Sequence, residues 1–146
     1  MKKWLLLLVF LCCCLGTGWA EISLEIDTTT VSKLAMGKDL AAGYLDYPGH
    51  NRLIIESTEP WQLHLRTDDL KFSATRDNYK PVAHLLWRLA NQGPYLPLAN
   101  YDQLVTQGGQ GKTQVRIDYR MLLSYLDSPD TYAITLVYTL TSQGVQ

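Results

Sequence analysis

The sequence predicts an all-β domain, an immunoglobulin-like antiparallel β-sandwich of about seven to nine strands. Three observations predict it. Runs in which apolar and polar side chains strictly alternate recur between residues 21 and 141. Those runs are rich in β-branched and aromatic residues, which suit a pleated, half-buried surface. Clusters of Gly, Pro, Asn and Asp separate them at spacings of about 8–12 residues, as turns between short strands do.

The N-terminus precedes this pattern and has a different character. Lys2 and Lys3 come before an uncharged run of 11 residues, Leu5 to Leu15. Gly18-Trp19-Ala20 then places small residues at the −3 and −1 positions before Glu21. This order predicts a cleaved secretory signal peptide over residues 1–20. The run is too short for a spanning helix, which needs about 20 apolar residues. Cys12, Cys13 and Cys14 read as apolar filler within it. Lipidation is the alternative, but Val9-Phe10-Leu11 does not supply the small residues that lipid attachment needs before the modified Cys.

Residues 21–146 then form one domain of 126 residues with no cysteine. It is held by its core alone, without the bridges on which small secreted domains often depend. Without Lys2 and Lys3, 11 basic residues face 14 acidic ones, a formal charge of −3. With no basic stripe, nucleic acid is not an expected partner. No later apolar run is long enough to span a membrane. The expected location is extracytoplasmic, at the cell surface or in the periplasm. No sorting motif or apolar tail follows Leu140, so retention at a surface is expected to be non-covalent.

The elements follow in order. Glu21 to Thr28 alternates Ile22, Leu24 and Ile26. Val31 to Ala42 alone has content for a short helix. Asp46-Tyr47-Pro48-Gly49-His50-Asn51 is expected to close a turn, with Pro and Gly supplying the backbone angles. Arg52 to Ser57 is a strand through Leu53-Ile54-Ile55. Trp61, Leu63 and Leu65 share one face of the next. Leu70 to Ala74 is a short strand; Val82 to Leu89 has content that also suits a helical turn after Pro81, and is read as strand from the alternation of Ala83, Leu85, Trp87 and Leu89. Tyr101 to Thr106 and Val115 to Met121 follow, joined by a Gly-rich hairpin loop over Gln107 to Lys112. The last strand is predicted to be the longest. Tyr132, Ile134, Leu136, Tyr138 and Leu140 form its apolar face, and its other face is rich in Thr.

The chemistry-bearing residues form few constellations. Gly111-Lys112-Thr113 looks like the end of a phosphate loop, but position 106 is Thr where that loop needs Gly, and a strand follows rather than a helix. His50, His64 and His84 are not at metal-ligand spacing and have no thiolate to join them. Asp68-Asp69, and Asp127 with Asp130, stand in turns, where Asp caps and bends the backbone. No nucleophile, base and orienting acid occur in a recognised local motif. The expected catalytic residues, metal and cofactor are therefore none. The aromatics carry more. Tyr44, Tyr47, Tyr95 and Tyr101 lie in or beside predicted loops, where exposed rings can stack on sugars or anchor a protein partner. Tyr is equally a common residue of strand edges. Trp61 and Trp87 are expected in the core.

Trp61-Gln62-Leu63 in one strand, with Tyr132 to Leu140 as the terminal strand, resembles the paired motifs of WxL-type cell-surface domains. In that family the second motif ends in Trp-Thr-Leu; here Tyr138 stands in place of the Trp. Asp130-Thr131-Tyr132 is similar to the entry of the C-terminal strand in immunoglobulin-like pilus and spore-coat-type subunits. The resemblance spans residues 55 to 141. It implies a non-catalytic structural or adhesion domain of the bacterial cell envelope. The implied partners are a cell-wall polymer, other envelope proteins or further copies of the chain. It assigns Trp61, Leu63, Tyr132, Tyr138 and Leu140 to the fold rather than to catalysis. The alternative function is a carbohydrate-binding module that uses the loop tyrosines.

Overall fold

The computed structural model describes residues 21–27, 33–76 and 78–143. The predicted signal peptide, residues 1–20, lies outside them, as do the first residues of the predicted helix.

Among the described residues ten strands form, rather than the seven to nine expected, in chain order: β1 (Ile22–Ile26), β2 (Tyr44–Ser57), β3 (Trp61–Arg66), β4 (Ser73–Ala74), β5 (Leu85–Leu89), β6 (Leu96–Pro97), β7 (Gln103–Gly108), β8 (Gly111–Leu122), β9 (Tyr132–Ala133) and β10 (Val137–Ser142). One short helix, α1 (Gly37–Ala42), precedes β2. Five strands pair in the order β1-β2-β8-β5-β6, three in the order β10-β3-β7, and β4 pairs with β9. Every pairing is antiparallel. The domain is thus all-β, with its two larger sheets packed face to face as in a sandwich.

The core follows from the alternation. Trp61, Leu63 and Leu65 on β3 are fully buried, while Gln62, His64 and Arg66 between them are half-exposed. They pack against Leu53 and Ile55 of β2, Val115, Ile117 and Tyr119 of β8, and Leu85 and Trp87 of β5. Each such side chain contributes about 1.5–3 kcal/mol by leaving water.

Four expectations fail, each for a local reason. Residues 46–51 do not close a turn; they lie within the 14 residues of β2. Tyr47 pairs with Tyr119 and Asn51 with Ile117, so Pro48, Gly49 and His50 bulge opposite the single residue Asp118. Proline lacks the N–H that a ladder would require. Gly49 adopts the left-handed φ of 55° and donates its N–H to Asp118 Oδ1 at 2.6 Å. A Pro-Gly pair therefore builds a bulge where a turn was expected.

The Gly-rich segment is not a hairpin tip. β7 belongs to the three-stranded sheet and β8 to the five-stranded one, so Gly109 and Gln110 carry the chain from one sheet to the other. Gly108 lies flat against the Trp61 indole, where a Cβ would overlap the ring. Gly111-Lys112-Thr113 opens β8, a strand and not a helix.

Residues 82–84 form a single 3-10 turn, closed by His84 N–H to Pro81 O at 3.0 Å, before β5 begins. The last strand is broken. Tyr132–Ala133 pairs with β4, and Val137–Ser142 pairs with β3. Between them Thr135 is pinned from both sides, its N–H to Asp69 Oδ2 at 2.9 Å and its O to Thr67 Oγ1 at 2.8 Å. The apolar face survives the break, since Tyr132, Ile134, Leu136, Tyr138 and Leu140 all pack on the core.

Candidate functional site

Side chains on the outer face of the five-stranded sheet alternate with those of the core. Tyr44 and Asp46 on β2, Asp118 and Arg120 on β8, and Arg88 on β5 occupy that face. Arg120 is held by Asp46, Nε to Oδ1 at 2.6 Å and Nη2 to Oδ2 at 2.9 Å. Its guanidinium carbon lies 3.9 Å from the centroid of the Tyr44 ring and 4.4 Å from that of Tyr95. Arg88 lies 4.3 Å from the same Tyr95 ring and bonds Asp118 Oδ2 through Nε at 3.1 Å. The result is a ladder of alternating rings and guanidinium groups, each cation neutralised by one carboxylate.

Asp118 is 3 % exposed although it points away from the core. The bulge at Gly49 and the turn at Asn91 close over it, each giving it a backbone N–H. Burial pushes its carboxyl up, but these two N–H groups and the Arg88 guanidinium outweigh burial and hold it below the usual carboxylate range. Guanidinium groups already cover the Tyr44 and Tyr95 rings.

The other two candidate tyrosines lie elsewhere. Tyr101 stands on the loop before β7 and is 65 % exposed. Tyr47 points inward, into a cavity of about 530 Å³ between the large sheet and residues 132–138. His50 stands edge-on to Tyr47 and to Tyr119, with centroids 6.0 and 6.3 Å away. Tyr119 and Tyr138 share a hydrogen bond between their hydroxyls at the cavity wall. Burial raises both phenols, Tyr119 well above its ordinary value and Tyr138 up to about 12. Burial lowers the His50 imidazole, so it is neutral at neutral pH.

Of the residues assigned to the fold, Trp61 and Leu63 are buried on β3, and Leu140 stands opposite Leu63 and Tyr138 opposite Leu65 on β10. Tyr132 packs edge-on to Phe72 with centroids 6.3 Å apart. Behind it, Lys80 is 1 % exposed and bonds Asp127 at 2.6 Å. The sequence alone does not reveal the arginine ladder or the packing of His50 against Tyr47 and Tyr119. The available signal was the outward alternation of Asp118 and Arg120 with Asp46, which becomes a contact only once β2 and β8 pair.

No group of three or more His, Cys, Asp or Glu side chains that could hold a metal ion occurs among the described residues. None of their helices is long and apolar enough to cross a membrane. No family model matches the chain, and no curated protein matches it significantly.

Proposed function

We propose that this chain is a secreted, non-catalytic structural or adhesion domain of the bacterial cell envelope. It acts by binding a cell-wall polymer or other envelope proteins, or by assembling with itself. The observation that carries this reading is the pairing of β3 with β10. The Trp61-Gln62-Leu63 segment and the terminal segment through Leu140 lie side by side, with Leu63 opposite Leu140. The two motifs that resemble WxL-type domains thus form one structural unit. An immunoglobulin-like variety of sandwich belongs to the same proposal and rests on the two-sheet antiparallel packing alone.

The three-stranded sheet also offers two outer edges, because β7 and β10 each pair only with β3 in it. Strand edges are templates for pairing with another chain. On β7, Leu104 is 51 % exposed beside that edge. The carbohydrate-binding alternative has less support, since Tyr44 and Tyr95 are stacked on Arg120 and Tyr47 faces inward.

Sedimentation tests the reading. Purified protein is mixed with cell-wall fragments and, separately, examined across a concentration series by analytical ultracentrifugation. Co-sedimentation with walls or concentration-dependent association is expected. A protein that stays monomeric and remains in the supernatant would overturn it.

A further inference from the structure

Hydrogen bonds fix two walls of the cavity beside Tyr47. One wall is the bulge of β2, fixed by Gly49 N–H to Asp118. The opposite wall is the segment between β9 and β10, fixed at Thr135 by Asp69 and Thr67. The last strand leaves β4 for β3 there, so no regular ladder fills the space over Tyr47, Tyr119 and Met121. Exposed Ala133 and Thr135 stand at its rim. Its volume of about 530 Å³ falls inside the roughly 300–1,000 Å³ of small-molecule sites.

The lining chemistry narrows the ligand. Among the described residues, no Lys, Arg, Asp or Glu lines the cavity. A charged ligand would lose its water there, and the nearby Lys33 and Lys80 ammonium groups, beside the Tyr47 and Tyr132 rings, are already engaged by Asp46 O and Asp127. Phe72, Leu85, Met121 and Ile134 offer apolar contact, and the Tyr47–His50–Tyr119 row offers ring edges. The lining is mixed: His50, Asn51 and Thr135 are polar, and the Tyr119 and Tyr138 hydroxyls meet in one pair. In the Tyr119–Tyr138 pair one hydroxyl donates to the other, which leaves the second proton for a third partner. Near neutral pH both phenols keep their protons, because burial raises them.

We propose that this inter-sheet cavity is a binding site for a small, uncharged, ring-bearing molecule whose single acceptor oxygen is hydrogen-bonded by the Tyr119–Tyr138 hydroxyl pair. The proposal does not rest on the envelope reading, since it is argued from the cavity and its hydroxyl pair, although Tyr132 and Tyr138 also belong to the terminal motif.

The probe is prodan, an uncharged naphthyl ketone whose emission reports both polarity and hydrogen bonding at its carbonyl. Its charged counterpart is anilinonaphthalene sulfonate. Wild-type protein is expected to bind prodan saturably, one per chain, with blue-shifted emission, and to bind the sulfonate at least tenfold more weakly by the desolvation argument. Ala133→Trp narrows the rim from an exposed position and is expected to abolish saturable binding. Tyr138→Phe removes one hydroxyl and is expected to weaken binding about fivefold, the worth of one ordinary hydrogen bond. Leu126→Ser changes an exposed apolar loop residue outside the lining and is expected to leave binding unchanged. Circular dichroism establishes that each variant is folded. Should Tyr138→Phe not fold, Ile134→Ala takes its place and is expected to alter affinity and emission. Absence of saturable prodan binding by the folded wild type overturns the proposal. So does equal affinity for the sulfonate, or binding lost in Leu126→Ser but kept in Ala133→Trp.

Discussion

Arg120 on β8 clasps Asp46 on β2 through two parallel hydrogen bonds, at 2.6 and 2.9 Å, while its planar face lies against Tyr44 and Tyr95. One side chain thereby joins the central strand pair of the large sheet to the loop that leads into β6. A guanidinium is needed because the contact is both bidentate and stacked.

Arg120→Ala is therefore expected to destabilise the fold by about 1–2 kcal/mol, a figure discounted for partial exposure of the pair. Arg120→Lys should recover less than half of that, since an ammonium neither forks nor stacks. Urea unfolding of the three proteins decides the matter. Wild-type stability in the lysine variant would show that charge alone matters here.

Gly108 ends β7 against the Trp61 indole, and no side chain fits between them. Trp61 is itself 1 % exposed and cannot retreat without disturbing the core. Gly108→Ala is expected to cost about 1–3 kcal/mol by overpacking, with a shift in tryptophan fluorescence. Gly109→Ala is the control, because a Cβ there meets nothing within 4 Å. Similar denaturation midpoints for the two variants would contradict the close approach.

Leu63 and Leu140 face each other across β3 and β10. Leu63 is fully buried and Leu140 partly so. Leu63→Ala should cost about 2–5 kcal/mol and Leu140→Ala less. Their double mutant should fall short of the sum by at least about 0.5 kcal/mol, as for residues in contact. Strict additivity in denaturant unfolding would mean that the two motifs do not form one packing unit.

The sequence made some of these relationships legible and hid others. Trp61, Leu63 and Leu65 could be placed in the core because a strand with one buried face writes that face into alternate residues. The same rule placed Tyr132 to Leu140 on one face. Alternation reports a face, however, and not a partner, so the change from β4 to β3 within that segment left no trace. Pro48-Gly49 signals a reversal in either a turn or a bulge. What decides between them is Asp118, 69 residues away, which accepts the Gly49 N–H. The tyrosines were recognisable as rings beside loops, yet Arg88 and Arg120, which cover two of them, lie on other strands. The cavity was wholly hidden, because the bulge of β2, the inner face of β8 and the break in the last strand meet only in the folded chain.

The buried phenols of Tyr119 and Tyr138 make stability fall at alkaline pH. Both have folded-state values raised by burial, Tyr138 to about 12 against an ordinary 10.0. A raised value means that the folded protein holds its proton where the unfolded chain has released it. That contribution to stability is complete below pH 10, where both states are protonated. It declines as pH rises from 10 through about 12, because unfolding then releases protons. Tyrosinate absorbance should accordingly stay incomplete while the fold is intact, because the buried pair ionises only as the fold opens. Tyr138→Phe should reduce the slope of stability against pH above 10 by removing one of the two groups. Parallel measurements of absorbance and circular dichroism test this. If all tyrosines ionise in a single step while the β-sheet signal is intact, the hydroxyl pair is not buried as described.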